Sequence, residues 1–212
     1  MNRVVKGIFY LIGLIVVGLL CFYGGKIQKI RTTTRVAPMI SIYDEEELLK
    51  ISLEDVGKYH GDICPCLVTG FMATQLAISQ LWRDEIPKRG DFKIISACPT
   101  EGTKDAFEFI TRAKTRGDFT LKLPEGTDIA SMTKNNWTFT FIRKTTGEQI
   151  EIRVKEEVFS PSSEEFFKIR KKVKFEGTAT LKEKENFKMV KQEIKQKLEN
   201  WQDNKLFGFE RK

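Results

Sequence analysis

The stretch NWTFTFIRKTTGEQIEIRV, residues 136 to 154, narrows the choice of folds more than any other. Apolar and polar residues alternate on both sides of a Thr-Thr-Gly-Glu turn. A period of two sends successive side chains to opposite faces of a strand, so this pattern predicts an antiparallel hairpin. Trp137, Phe139 and Phe141 should face Ile150, Ile152 and Val154. A hairpin is marginal alone and needs further strands and a covering layer. The covering signals lie on both sides. DEEELLKISLEDVGKYH (44 to 60) carries helical spacing, weakly interrupted by Gly57. After Pro65, Leu67, Val68, Phe71, Met72, Ile78 and Leu81 repeat at three- and four-residue steps, predicting an amphipathic helix that ends before Pro87. DFKIISA and DFTLKL read as strands, and TKDAFEFITRA as a helix opened by Thr103 and Lys104. Ser162 with Glu165 and Thr180 with Glu183 have capping-box spacing and announce two closing helices separated by Gly177. On the second, Phe187, Val190, Ile194, Leu198 and Trp201 form one stripe, read as core or dimer contact. The class is α+β: a small mixed or antiparallel sheet covered by helices.

The chain has 212 residues, 41% hydrophobic and 31% charged, which suits one packed domain with an appendage and argues against disorder or a disulfide-dense miniature fold. The formal charge of +7 does not bring a nucleic-acid partner with it, because the basic residues are interleaved with acids and no recognition motif accompanies them. The run KIRKKVKFEG reads as a solvated helix face. IFYLIGLIVVGLLCFYGG, residues 8 to 25, carries no charge and has roughly the length of a membrane-crossing helix. Arg3 and Lys6 precede it and no small-residue cleavage site follows, the pattern of a retained signal anchor. Leu20 before Cys21 argues against a lipidated cysteine. The expected organisation is a transmembrane anchor over 1–25, a threonine-rich linker over 26–43 and an α+β domain over 44–212. Basic residues flank the apolar run almost evenly, and a short basic tail before it places the domain outside the cytoplasm, in a single-pass membrane protein.

KYHGDICPCLVTG, residues 58 to 70, holds the single histidine, His60, and two of the four cysteines, Cys64 and Cys66. Pro65 disfavours helical geometry at Cys64 and suits the first helical position, so Cys64 should cap the helix that follows. The amides and positive dipole end there favour a thiolate, which is both metal ligand and nucleophile. His60 lies four residues earlier across a glycine turn, and Cys98 follows the strand DFKIISA, just before Pro99. Imidazole and thiolate together suit zinc or another late transition metal. The metal ligands expected are His60, Cys64 and Cys98, with Cys66 and Asp62 as additional donors. Against this stand a capping histidine, cysteines buried as small hydrophobes, and a disulfide among Cys64, Cys66 and Cys98.

YHGDICPCLVTGFMATQLAISQLW resembles the opening motif of the FmdE-like family of formylmethanofuran dehydrogenase proteins, H-G-H-x-C-P-G followed by a glycine and a long helix. KIISACPTEGTKDAFEFIT, the hairpin and the closing helices resemble later elements, so the likeness covers roughly residues 48 to 210. It implies an α+β domain that often pairs as a homodimer and binds a metal, commonly zinc, through the motif histidine and cysteine and a later cysteine. The matching positions are His60 and Cys64, with Gly61, Pro65 and Gly70 as framework and Asp105 in the Asp-Ala element. The second motif histidine is Asp62 here, the glycine after the proline is Cys66, and the later cysteine falls on Gly102, with Cys98 four residues early. Three functions follow. The first is a membrane-anchored metal-binding protein accessory to a molybdenum or tungsten redox enzyme. The second is a metal-dependent enzyme acting on a pterin-like or one-carbon substrate at an open metal position, with Asp62 or Asp105 as base and Trp137 or other aromatics on the pocket wall. The third is a thiol redox module using Cys64 and Cys66.

Overall fold

Phe139 and Phe141 lie opposite Ile152 and Ile150 in the computed structural model, and the Val154 amide donates to the Trp137 carbonyl at 3.0 Å. The hairpin thus pairs in the register its alternation predicts. Residues 39–159, 162–200 and 205–212 are described, all within one compact unit, Ala37–Lys212. In chain order the first elements are β1 (Met39–Asp44), β2 (Glu47–Ser52), α1 (Leu53–His60), α2 (Pro65–Leu81) and β3 (Phe92–Ser96). There follow α3 (Glu101–Thr111), β4 (Phe119–Leu121), β5 (Thr138–Arg143) and β6 (Gln149–Val154). The chain continues with α4 (Ser163–Lys171), a π-helical turn over Lys172–Glu176, α5 (Leu181–Glu199) and β7 (Phe207–Arg211).

Five strands form one sheet in the order β4-β3-β5-β6-β7, parallel between β3 and β4 and antiparallel elsewhere, so the sheet is mixed. Its apolar face comes from alternate residues: Phe92 and Ile94 of β3, Phe139 and Phe141 of β5, Ile150 and Ile152 of β6, all fully buried. Phe107 of α3 meets Phe139 and Phe141 edge-on, each at 5.5 Å between ring centroids, the geometry aromatic quadrupoles favour. The opposite face carries Thr138, Thr140, Glu151 and Arg153, which stay in reach of water, as expected of a sheet covered on one side. α2 is apolar nearly all round and lies at the centre, and its buried Thr69 and Thr74 hydroxyls donate to carbonyls one turn back, at 2.8 Å each. α5 buries Phe187, Val190, Ile194 and Leu198, so this stripe is core; Trp201 lies outside the described residues.

The structure departs from the sequence reading at four places. Residues 47–52 form β2 rather than the first turns of a helix, because they pair antiparallel with β1 from Met39↔Ser52 to Asp44↔Glu47. β1 itself occupies residues assigned to the end of the linker, and it is tied down by Tyr43 donating to the Pro87 carbonyl at 2.8 Å and by the Arg89–Asp44 ion pair at 2.6 Å. β7, which alternation alone did not announce, extends the sheet beyond β6. Of the two predicted capping boxes, Thr180 with Glu183 is reciprocal, whereas Ser162 accepts from the Glu165 amide without the return bond. The expected transmembrane helix and most of the linker lie outside the described residues. Among the described residues no helix is long and apolar enough to cross a membrane.

Candidate functional site

The turn from His60 to Cys64 is made by two glycines with different roles. Gly61 closes α1 in the left-handed conformation, φ 93°, and its amide donates to the Gly57 carbonyl at 2.8 Å, a conformation a side chain rarely adopts. Gly57, a poor helix former, gives Ile63 room to fold back: a Cβ there would sit 2.5 Å from Ile63 Cγ1. The chain then reaches Cys64 in extended geometry, ψ 162°, with Pro65 at the first position of α2. Cys64 is therefore the N-cap that Pro65 dictates.

His60 Nδ1 lies 2.7 Å from Asp105 Oδ2 on α3, and His60 Nε2 lies 3.7 Å from Cys64 Sγ. With the carboxylate accepting from Nδ1–H, Nε2 is the ring nitrogen that faces the sulfur: it donates to a Cys64 thiolate while the ring is protonated and offers its lone pair to an ion once that proton is lost. Burial lowers the basicity of His60, but the Asp105 hydrogen bond and the neighbouring Cys64 charge outweigh it and raise its pKa. The Cys64 thiol is brought down to about 5, chiefly by the Cys66 thiol donating to it, helped by the α2 amides and by His60 against burial. Cys66 moves the opposite way, held protonated by that same hydrogen bond and by burial. Position 102 opens this corner. A Cβ on Gly102 would stand 2.8 Å from Cys64 Sγ and 3.3 Å from Cys66 Cβ, so glycine lets the first turn of α3 approach both cysteines.

The remaining sequence candidates separate. Cys98 is fully buried, with its sulfur 3.2 Å from Thr100 Oγ1 and 3.5 Å from Thr103 Oγ1. Thr103 in turn donates to the Cys66 carbonyl at 3.2 Å, which links Cys98 to the site through a hydroxyl. Cys64, Cys66 and Cys98 are all free thiols. Asp62 is exposed on the loop. Among the described residues no three His, Cys, Asp or Glu side chains form a ready-made metal cage. The His60–Cys64 pair nevertheless fits an ion: bonds of about 2.3 Å to sulfur and about 2.0 Å to nitrogen at a tetrahedral angle put the two donors about 3.5 Å apart. The Asp105 carboxylate behind the imidazole is the support that metal-binding histidines ordinarily have.

His60 and Cys64 open onto a cavity of about 490 Å³ whose walls include Trp137, Phe166, Phe175 and Phe187. Of these, sequence reasoning placed only Trp137 at a pocket. It also missed Arg170 and Lys174, both of which line the cavity although KIRKKVKFEG reads as a solvated face. Arg170 donates to the Ile129 carbonyl at 2.7 Å and covers Phe175 at 5.0 Å, contacts with distant or irregular segments that local charge patterning does not reveal. Burial lowers its pKa.

Fold and site together define a small α+β domain with a carboxylate-backed histidine and a low-pKa cysteine on the wall of an aromatic cavity. A protein-family model described as "FmdE, Molybdenum formylmethanofuran dehydrogenase operon" matches residues 59–208, well over half of the chain. The protein belongs to the FmdE family. No curated protein matches it.

Proposed function

We propose that this FmdE-family protein is a metal-binding accessory of a molybdenum or tungsten redox enzyme, anchored by its apolar segment over residues 8–25 with the domain outside the cytoplasm. His60 Nε2 and Cys64 Sγ hold zinc or another late transition metal. The observation that carries this reading is the 3.7 Å separation of those two donors with Asp105 hydrogen-bonded behind the ring. Asp105 orients His60 rather than acting as a free base, and Cys66 holds its proton toward Cys64. A bound ion would supply Lewis acidity at the cavity wall. The family description supports the redox-enzyme partner, and the sequence resemblance supports a homodimer.

The aromatic cavity beside the donor pair favours one second reading, an enzyme acting at an open metal position on a pterin-like or one-carbon substrate. Elemental analysis of the full chain in lipid nanodiscs for zinc, nickel and iron tests the shared premise. Stoichiometric metal is expected in the parent, loss in His60→Ala and Cys64→Ser, and retention in Cys66→Ser. A parent that is empty and stays empty on reconstitution ends both readings.

A further inference from the structure

Three cations line the cavity without an ion-pair partner among the described residues: Arg170, Lys174 and Lys191. Three lysines near them in the chain are paired. Lys171 meets Glu176, Lys172 meets Glu183 and Lys195 meets Glu199. Arg170, Lys174 and Lys191 thus place unpaired positive charge on the cavity wall, whereas Lys168, Lys182, Lys184 and Lys188, equally without an ion pair among the described residues, do not line it. Arg170 is also preset, because its bond to Ile129 and its stacking on Phe175 fix the guanidinium plane while leaving other N–H groups unused. A second observation is independent of charge. The Trp137 indole Nε1 is the one buried side-chain nitrogen or oxygen among the described residues without a hydrogen-bond partner, and Trp137, 2% exposed, lines this cavity. A buried donor left unpaired costs about 1–3 kcal/mol, which an acceptor in the cavity would recover. The acids Asp62 and Glu101 also line the cavity, on the α1–α2 loop and the first turn of α3, among the residues surrounding His60 and Cys64.

We infer that the cavity binds a small oxyanion-bearing molecule with a flat apolar body, its carboxylate on Arg170 with Lys174 and Lys191, its ring among Phe166, Phe175 and Phe187, and an acceptor atom on the Trp137 N–H. This names a ligand class for the same site; it rests on the proposed function for the site's role, and on none of its metal chemistry.

The probe is 2-naphthoate, titrated into the full chain in nanodiscs against empty nanodiscs, with 2-naphthamide as neutral isostere and acetate as anion without a ring. The readout is the indole N–H signal of Trp137 in protein carrying 15N-tryptophan, which has three tryptophans, assigned with Trp137→Phe. Expected are a saturable shift of that signal by 2-naphthoate, binding about tenfold weaker for the amide, and a similar loss in Arg170→Gln with partial recovery in Arg170→Lys. Equal binding of acid and amide, an unmoved Trp137 signal, or an undiminished affinity in Arg170→Gln overturns the inference. The titration is repeated on chelator-stripped and zinc-loaded protein. Naphthoate binding by a chain that never takes up metal would sink the metal reading alone, and metal uptake without naphthoate binding would sink this one alone.

Discussion

Replacing Gly70 with alanine tests how closely α2 and α3 depend on one another. Alanine in mid-helix gains about 0.5–1 kcal/mol over glycine when nothing else changes. Here something does change. A Cβ at position 70 would lie 2.8 Å from Ala106 Cβ, 3.2 Å from the Thr103 carbonyl oxygen and 3.4 Å from Thr103 Cα. Carbon atoms pack at about 3.5–4.0 Å, so the helices must part by roughly 0.7–1.2 Å. Two of the three obstacles are backbone, which cannot rotate away. Overpacking of this kind costs about 1–3 kcal/mol, so Gly70→Ala should destabilise by about 1–2 kcal/mol after the propensity gain. With a urea slope of about 2 kcal/mol/M, the midpoint falls by roughly 0.5–1 M. Adding Ala106→Gly removes the nearest obstacle, and the double-mutant cycle should show about 1 kcal/mol of coupling. A midpoint that stays or rises in Gly70→Ala would refute the close-packing argument. Because Asp105 is beside Ala106, the same variant should also disturb the His60–Asp105 proton signal.

Two further tests reach other parts of the molecule. Phe107→Ala removes the ring that joins α3 to β5, 1% exposed and edge-on to two phenylalanines, and should cost about 3–5 kcal/mol in urea denaturation; a loss near zero would mean that the layers are held elsewhere. Glu183 tests the acid limb: its hydrogen bond from Lys172 at 2.6 Å, with those from Thr180, holds its carboxyl down to about 2 against an ordinary 4.5. A depressed carboxyl contributes stability that is complete above the unfolded value and disappears as pH falls through the folded one. The Glu183 carboxyl carbon should accordingly titrate near 2 by NMR, and Glu183→Gln should flatten the stability profile below pH 4.5; a midpoint at 4 or above contradicts the assignment.

What could be read from sequence was what the local chain decides. The β5–β6 register follows from period-two patterning, and the Cys64 N-cap follows from one proline. Thr180 and Glu183 cap α5 across three residues. Elements decided by distant partners were misread or missed. Leu48, Leu49 and Ile51 fit helical spacing as well as a strand, and β2 is selected by pairing with β1 and by the anchoring of that hairpin to Pro87 and Arg89. β7 is five residues whose strand character depends on the edge β6 offers. The site divides in the same way. His60 and Cys64 share a tight turn, and the carboxylate on His60 Nδ1 comes from 45 residues away. Arg170 looked like surface because its carbonyl partner, Ile129, is 41 residues distant.

The π-helical turn over Lys172–Glu176 holds an extra residue between α4 and the left-handed Gly177. In a regular helix each residue advances the rotation by about 100°, so deleting one residue here would swing Lys174 and Phe175 off the wall they now form. What this helix presents to the site is a matter of angular phase as much as of composition. Two chains with the same side chains in this segment, differing by one residue in its length, would greet a visiting molecule with different faces.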